Sequence, residues 1–336
     1  MSFGSTKYQE PDPPKLMGAD ASLISTNENA RPLPWFSGTR WLGVTWIGDV
    51  FGVKTTEIKQ EVGKDDKTVG YNYFASFAAL VCNGVVNRVT QIKFNDEIVW
   101  SGLIARGEDD FVSITIPSRG ILHLHFGTET QGIHPLLAGS GQQHSAYRGQ
   151  CYIVGEEIAF GANTTTAPNI QLELQRIASP SWVANPTIVQ ESDSSCFDAN
   201  PVAVLWEWWT DKRFGFGRPE SELDISRLQA AAVRLASEKL GLSPFVDTET
   251  ERKTILLKLF ESIDAYPTSY GGKLGIELVR AATGYIPRVD KNVTLSDPTV
   301  SGQQWPDTTN LTRVKFKDYE KSGQDNTATR RDVANF

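Results

Sequence analysis

The sequence predicts an α+β protein, with small antiparallel β domains in its first half and helices packed on a sheet in its second. Three observations lead there. Up to about residue 180, short apolar or alternating runs are punctuated by turn residues, the pattern of strands and hairpins. From Asn200 onward, capped segments with helical spacing of apolar residues take over. The chain of 336 residues carries 28 glycines, 17 prolines and many Thr, Val, Ile and aromatic residues, a composition that favours strands with helices in places.

Residues 1–30 contain Pro11, Pro13 and Pro14 among small polar residues and read as an extended arm, either a free tail or a segment that orders on a partner. Residues 31–180 form the β-rich part, with borders that can be discontinuous in sequence. Trp35, Trp41 and Trp46 are expected as strand anchors beside glycine bends. Residues 53–62 and 69–80 flank the charged tip Gly63 to Lys67 as a hairpin, and the apolar run Tyr71 to Val81 suits a central strand. Val89 to Phe94 and Glu97 to Trp100 form a second hairpin across Asn95-Asp96, followed by a strand from Phe111 to Ile116. Ile121 to Phe126 alternates, so His123 and His125 share one face. A loop from Gly127, a buried strand around Cys151 to Val154 and an alternating strand from Asn169 to Arg176 complete the half. The polar face of that last strand is expected to meet solvent or a partner.

Residues 181–200, including the polar stretch Asn185 to Asn200, read as a linker into the second half, residues 201–336. Asn200 supplies an N-cap and Pro201 suits the first helical turn, where a missing N–H costs nothing. Val202, Leu205, Trp206 and Trp209 stand at i, i+3, i+4 and i+7, the spacing of one buried stripe. Phe214-Gly215-Phe216-Gly217 closes the helix in a turn. Asp224 caps a helix from Ile225 to Leu240 that Gly241 stops, with Ile225, Leu228, Ala232 and Leu235 buried. Another helix spans about Glu251 to Ile263. Tyr266 to Tyr270 and Lys273 to Val279 pair across Gly271-Gly272. Thr312 to Tyr319 is a strand candidate, and the polar run from Glu320 to Phe336 does not resemble a domain end: the chain continues into something longer, or its tail is disordered.

Charge and composition exclude several function classes. Lysine plus arginine is 33 against 40 aspartates and glutamates, a net charge of −7, which argues against a general nucleic-acid binder. The longest apolar run, Phe74 to Cys82, is too short to span a membrane and is broken by Ser76. Met1 to Glu10 lacks the basic-then-apolar pattern of a secretory signal. Cys82, Cys151 and Cys196 lie far apart without zinc-ligand spacing, which suits a reduced compartment.

Chemistry-bearing patterns are sparse. Neither a phosphate-cradling loop nor a dinucleotide fingerprint occurs, and the glycines between Arg213 and Arg218 follow their helix rather than precede one. The four histidines all lie between residues 123 and 144, and no serine, cysteine or threonine stands on a recognisable catalytic elbow. His123 and His125 alone hint at a metal, yet no carboxylate or cysteine has a matching spacing, so exposed strand histidines are expected. Glu156-Glu157 and Asp109-Asp110 point to opposite faces of their strands and are not acid–base couples. No cofactor, metal or catalytic residue is assigned. A glycan hydrolase assembling distant carboxylates such as Glu156 and Asp193, or a carbohydrate-binding β protein using Trp100 or Trp305, stands as the alternative.

The segment Pro201 to Asp224, with Trp206 to Thr210, Arg213, Phe214, Gly215, Gly217, Pro219, Glu220 and Asp224, resembles a signature segment of tail-tip (baseplate) hub proteins of long-tailed phages and gene transfer agents. Pro32 to Gly43, Tyr73 to Gly84, Leu124 to Val154 and Pro168 to Arg176 resemble the same family in the same order, and Leu257 to Arg280, with Gly271-Gly272, continues the match. The resemblance covers roughly residues 31–320. It implies the N-terminal hub region of a central tail-tip protein: a non-enzymatic virion component, a homotrimer of small β-barrel-like domains above helical α+β domains, closing the tail channel. The implied partners are the distal tail protein, the tape-measure protein and further tip or fibre proteins. The implied location is the distal end of the tail, after synthesis in the host bacterial cytoplasm. Asn200, Pro201, Trp206, Trp209, Arg213, Gly215, Gly217, Pro219, Asp224, Gly271 and Gly272 form the structural signature. Many members continue into receptor-proximal domains where this chain stops, so no receptor-binding role is carried over.

Overall fold

The computed structural model describes residues 32–62, 65–162, 167–189, 197–280, 311–318 and 324–331. They fall into two compact units, one ending at Arg280 and one starting at Ala281. The N-terminal arm, Asp193, Cys196 and Trp305 lie outside the described residues.

The first unit opens with β1 (Trp35–Phe36), β2 (Gly38–Gly43) and the long hairpin of β3 (Thr45–Val62) and β4 (Asp65–Asn83). Next come β5 (Arg88–Phe94), β6 (Glu97–Ala105), β7 (Phe111–Ile116), β8 (Gly120–His125), the short helix α1 (Pro135–Ala138), β9 (Gln150–Ala162) and β10 (Ile170–Arg176). Two antiparallel sheets result, ordered β3-β4-β9-β8-β7 and β2-β10-β5-β6. Both are open sheets, and both feed one hydrophobic core: Phe77, Leu122, Leu124 and Ile153 meet Ile92, Phe94, Leu172 and Leu174 there.

The expected hairpins are present, both longer than the sequence suggests. Asn95 and Asp96 sit at φ 50° and 67°, the left-handed pair that a tight two-residue hairpin needs. The apolar run in β4 is central because β3 and β9 flank it. Its alternate residues serve two cores: Tyr73, Ala75, Phe77 and Ala79 enter the main core, while Ala78 joins Leu137, Tyr152 and Val154 beneath α1. The connection from Gly127 to Gly149, folded back through α1, thus covers the second face of the five-stranded sheet.

Burial corrects two expectations. His123 and His125 are not exposed; they are 7% and 1% accessible. The polar face of β10 is not solvated either: Glu173 and Gln175 are buried between β2 and β5, with Thr90 Oγ1 donating to Glu173 Oε2 at 2.5 Å.

Within residues 181–200, β11 (Thr187–Val189) pairs with β12 (Phe197–Ala199). The second core gathers around α2 (Pro201–Thr210), α3 (Ile225–Ser237), α4 (Arg252–Ser262) and the hairpin of β14 (Ala265–Tyr270) and β15 (Lys273–Leu278), with β13 (Phe245–Val246) pairing β1. The helix α3 ends earlier than Gly241: Lys239 at φ 54° turns the chain, and its N–H bonds to Ala236 O at 3.1 Å. No helix among the described residues is long and apolar enough to cross a membrane.

In the second unit β16 (Leu311–Asp318) pairs antiparallel with β17 (Gln324–Arg331). The polar run after Glu320 therefore contains a strand.

Candidate functional site

The signature segment forms the joint between the β core and the helical core. Asn200 is fully buried and does three jobs: its Oδ1 accepts from Val202 N at 3.1 Å, capping α2, while its Nδ2 donates to Asn185 O at 2.9 Å and Ala232 O at 3.1 Å. One amide thus ties the start of α2 to the segment just before β11 and to α3. Pro201 occupies the first turn as its missing N–H predicts.

The helix is buried nearly all round rather than along one stripe. Pro201 to Leu205, Trp208 and Trp209 are buried, whereas Trp206 is half-exposed. Trp206 packs against the core at the margin of the expected stripe, and the tryptophan off the stripe, Trp208, is central. Trp208 meets Trp35 edge-on at 5.0 Å and Phe214 at 5.6 Å, while Trp209 reaches Phe260 on α4. Trp206 lies at the edge of that core, and Glu220 Oε1 accepts from its indole at 3.2 Å and from that of Trp182 at 2.6 Å.

Charge completes the joint. The Arg176 side chain, at the end of β10, is 4% accessible and forms a two-pronged ion pair with Glu207, 13% accessible; its Nη1 lies 3.0 Å from Glu207 Oε2 and donates to Phe36 O at 2.7 Å. The guanidinium lies over Trp35 at 5.4 Å. Gly84 leaves room for it, since a Cβ there would stand 2.2 Å from Arg176 Nη2. Beyond the helix, Asp211 Oδ1 accepts from Arg213 N at 2.7 Å and Phe214 N at 3.0 Å, and the turn folds back so that Phe216 N donates to Trp208 O and Arg218 N to Trp209 O, each at 2.8 Å. Gly215 presses against Trp208 O, where a Cβ would come within 2.3 Å. Gly217 donates to Asp211 O at 2.9 Å. Arg213 reaches across to pair with Glu129 on the Gly127–Gly149 connection.

Pro219 precedes the 3-10 turn Glu220–Glu222. Asp224 caps α3, accepting from Arg227 N at 3.2 Å, and its own N–H donates to Leu274 O at 2.7 Å. Gly271 and Gly272, at φ 57° and 80°, make the tight turn between β14 and β15. Of the eleven signature residues, Asn200 through Asp224 share one joint, whereas Gly271-Gly272 sits at an exposed hairpin tip.

A cavity of about 290 Å³ opens beside this joint, lined by Arg106, Arg176, Arg213, Glu207, Trp206 and Phe214 among others. Its carboxylates are engaged: Glu207 holds Arg176, Glu129 holds Arg213, and Asp211 ties the turn. Such groups orient backbone and neutralise arginines; none stands in an acid–base couple. Glu156 and Glu157 also have separate partners, His123 and Lys54.

Two clusters escaped the sequence reading. Cys82 and Cys151 face each other as buried free thiols across β4 and β9, and burial pushes the Cys151 thiol up. His123, His125 and His134 meet beneath α1. No group of three or more His, Cys, Asp or Glu with metal-binding geometry occurs among the described residues. The apolar pair Leu136-Leu137 inside an otherwise polar loop is the signal that the loop folds onto the sheet and buries these rings.

No protein-family model and no curated protein matches the chain. Among solved structures, it is similar to a chain from the virion of a native gene transfer agent particle, with 13% identity, 97% of this chain and 70% of that chain covered, and a TM-score of 0.48. A likeness of that degree assigns no function.

Proposed function

We propose that this chain is a structural virion protein, the hub at the tip of a long phage-like tail. Three copies would close the channel and connect the distal tail protein to the tape-measure protein and outer tip or fibre components. One observation carries the reading. The stretches that resemble hub proteins are scattered through the sequence, yet they converge on one joint. Pro34 O accepts from Asn83 N at 2.8 Å; Gly84 makes room for Arg176; Arg176 pairs with Glu207; Gly149 lies against Arg213; Leu274 accepts from Asp224. Residues spent in this way fix two cores against each other, which is what a mechanical scaffold requires. The long β3–β4 hairpin and the open edges of both sheets offer backbone for neighbouring copies. By this reading the protein is made in the cytoplasm of the host bacterium and ends in the virion, without an enzymatic role.

Light scattering on the purified full chain tests the assembly, with an expected mass near three times 37.1 kDa. A strict monomer that is also absent from particles would sink the proposal. Clearing of a peptidoglycan suspension, lost on Glu156→Gln, would replace it with a glycan hydrolase.

A further inference from the structure

The histidines beneath α1 form a cluster that the joint does not use. His123 and His125 leave β8 on the face away from the main core, and His134 arrives from the N-cap of α1. The His134 ring centroid lies 4.6 Å from that of His123 and 5.4 Å from that of His125. Phe111 packs 4.5 Å from His134 and 5.1 Å from His125, and Tyr152 stacks on His125 at 4.1 Å. All three histidines are buried, at 7%, 1% and 2% accessibility.

A hydrogen bond selects the tautomer of His134. His134 Nδ1 accepts from Leu136 N at 3.3 Å, which places the proton of the neutral ring on Nε2, and that Nε2 has no hydrogen-bond partner among the described residues. Both ring nitrogens of His125 are likewise unpartnered. Burial disfavours the charged form of His125 and His134, which pack as neutral rings. The surrounding charged groups are already engaged: Glu156 Oε2 sits 3.0 Å from His123 Nε2, and Asp110 Oδ2 accepts from Gly132 N at 3.0 Å. From the covering connection, His144 faces the Tyr147 hydroxyl, Tyr152 donates to Gly132 O, and Arg148 Nε donates to Gln131 O.

We propose that His125 and His134, with His123 beside them, form an acid-released latch that holds α1 and the Gly127–Gly149 connection on the five-stranded sheet at neutral pH. A proton on His125 or His134 puts a charge among buried rings and beside the other histidines; Asp110 favours it on His125 and Glu156 on His134, but each works against the larger cost of burial. Opening the connection restores water to that charge. Burial, reinforced by the neighbouring histidines, lowers His125 to about 3 and His134 to about 4 from an ordinary 6.5. The sign follows from linkage. The open form binds protons first, so the closed form is fully favoured above pH 6.5 and is progressively lost as pH falls toward 4 and then 3. The same connection carries Glu129, the partner of Arg213, so opening also loosens the joint. The latch does not rest on the virion reading.

Hydrogen–deuterium exchange of the full chain at about pH 7.5 and about pH 5, corrected for intrinsic rates, tests it. Protection across Gly127–Gly149 is expected to fall at least about tenfold more than protection in β5 and β10. The fall should vanish in a chain carrying His125→Phe, which keeps the ring stacked on Tyr152, and His134→Asn, which keeps a capping acceptor. An equal fall throughout the chain, or an undiminished local fall in the variant, overturns the latch. So does zinc raising protection of the connection in the unmodified chain at neutral pH, which would make the cluster a metal site. Should the variant not fold, NMR titration of the histidine rings in the unmodified chain decides: rings titrating near the ordinary value with the connection still closed refute the proposal.

Discussion

Two ion pairs hold the signature helix and its turn to the β core, and they differ in almost everything except chemistry. Arg176–Glu207 is sealed, at 4% and 13% side-chain accessibility, and its guanidinium is shared with Phe36 O and the face of Trp35. Arg213–Glu129 bridges the surface, at 49% and 63%. Desolvation makes the first pair indispensable once formed, because removing one partner strands a buried charge. Solvent screening makes the second pair a weak fastener that can open without unfolding either core. The joint is therefore rigid at its sealed pair and releasable at its exposed one.

The largest effect expected from this contrast is on Glu207→Ala, which should cost about 3–5 kcal/mol in denaturant unfolding because Arg176 is left uncompensated. Replacing both partners, Arg176→Met with Glu207→Leu, should recover most of that loss. A double variant as unstable as the single one would show that packing around the pair, not the stranded charge, governs the joint. Asn200→Ala comes next, at about 2 kcal/mol: it removes a helix cap and leaves Asn185 O and Ala232 O without that donor. A change below about 0.5 kcal/mol would mean that α2 is fixed by apolar contacts alone. Glu129→Ala should be smallest, within about 0.5 kcal/mol, and should instead raise hydrogen exchange in the turn from Arg213 to Arg218. A loss comparable to that of Glu207→Ala would erase the distinction between the two clamps.

What could be read from the sequence, and what could not, follows the range of the interaction responsible. Asn200 and Asp224 were legible as caps because a cap bonds within its own first turn. Asn95-Asp96 and Gly271-Gly272 were legible as hairpin turns for the same reason. Face assignments failed where a distant segment supplied the cover. Alternation places His123 and His125 on one face of β8, but the Gly127–Gly149 connection decides that this face is dry. Glu173 and Gln175 were misjudged similarly: Thr39, opposite Gln175 on β2, bonds to the backbone of Phe197, so β12 from later in the chain lies over that face. In α2 the period failed because burial on nearly every side removes the contrast that a period measures, so Trp208 could not be told from Trp206. The meeting of Cys82 with Cys151, and of Arg176 with Glu207, depends on strand register and on the docking of α2, neither of which is local.

The central claim is that this joint belongs to a tail-tip scaffold. Immunogold electron microscopy of particles, with antibodies raised against the full chain, addresses it most directly. The account predicts label confined to the distal end of the tail; particles that carry no label, or label on the capsid alone, would contradict it.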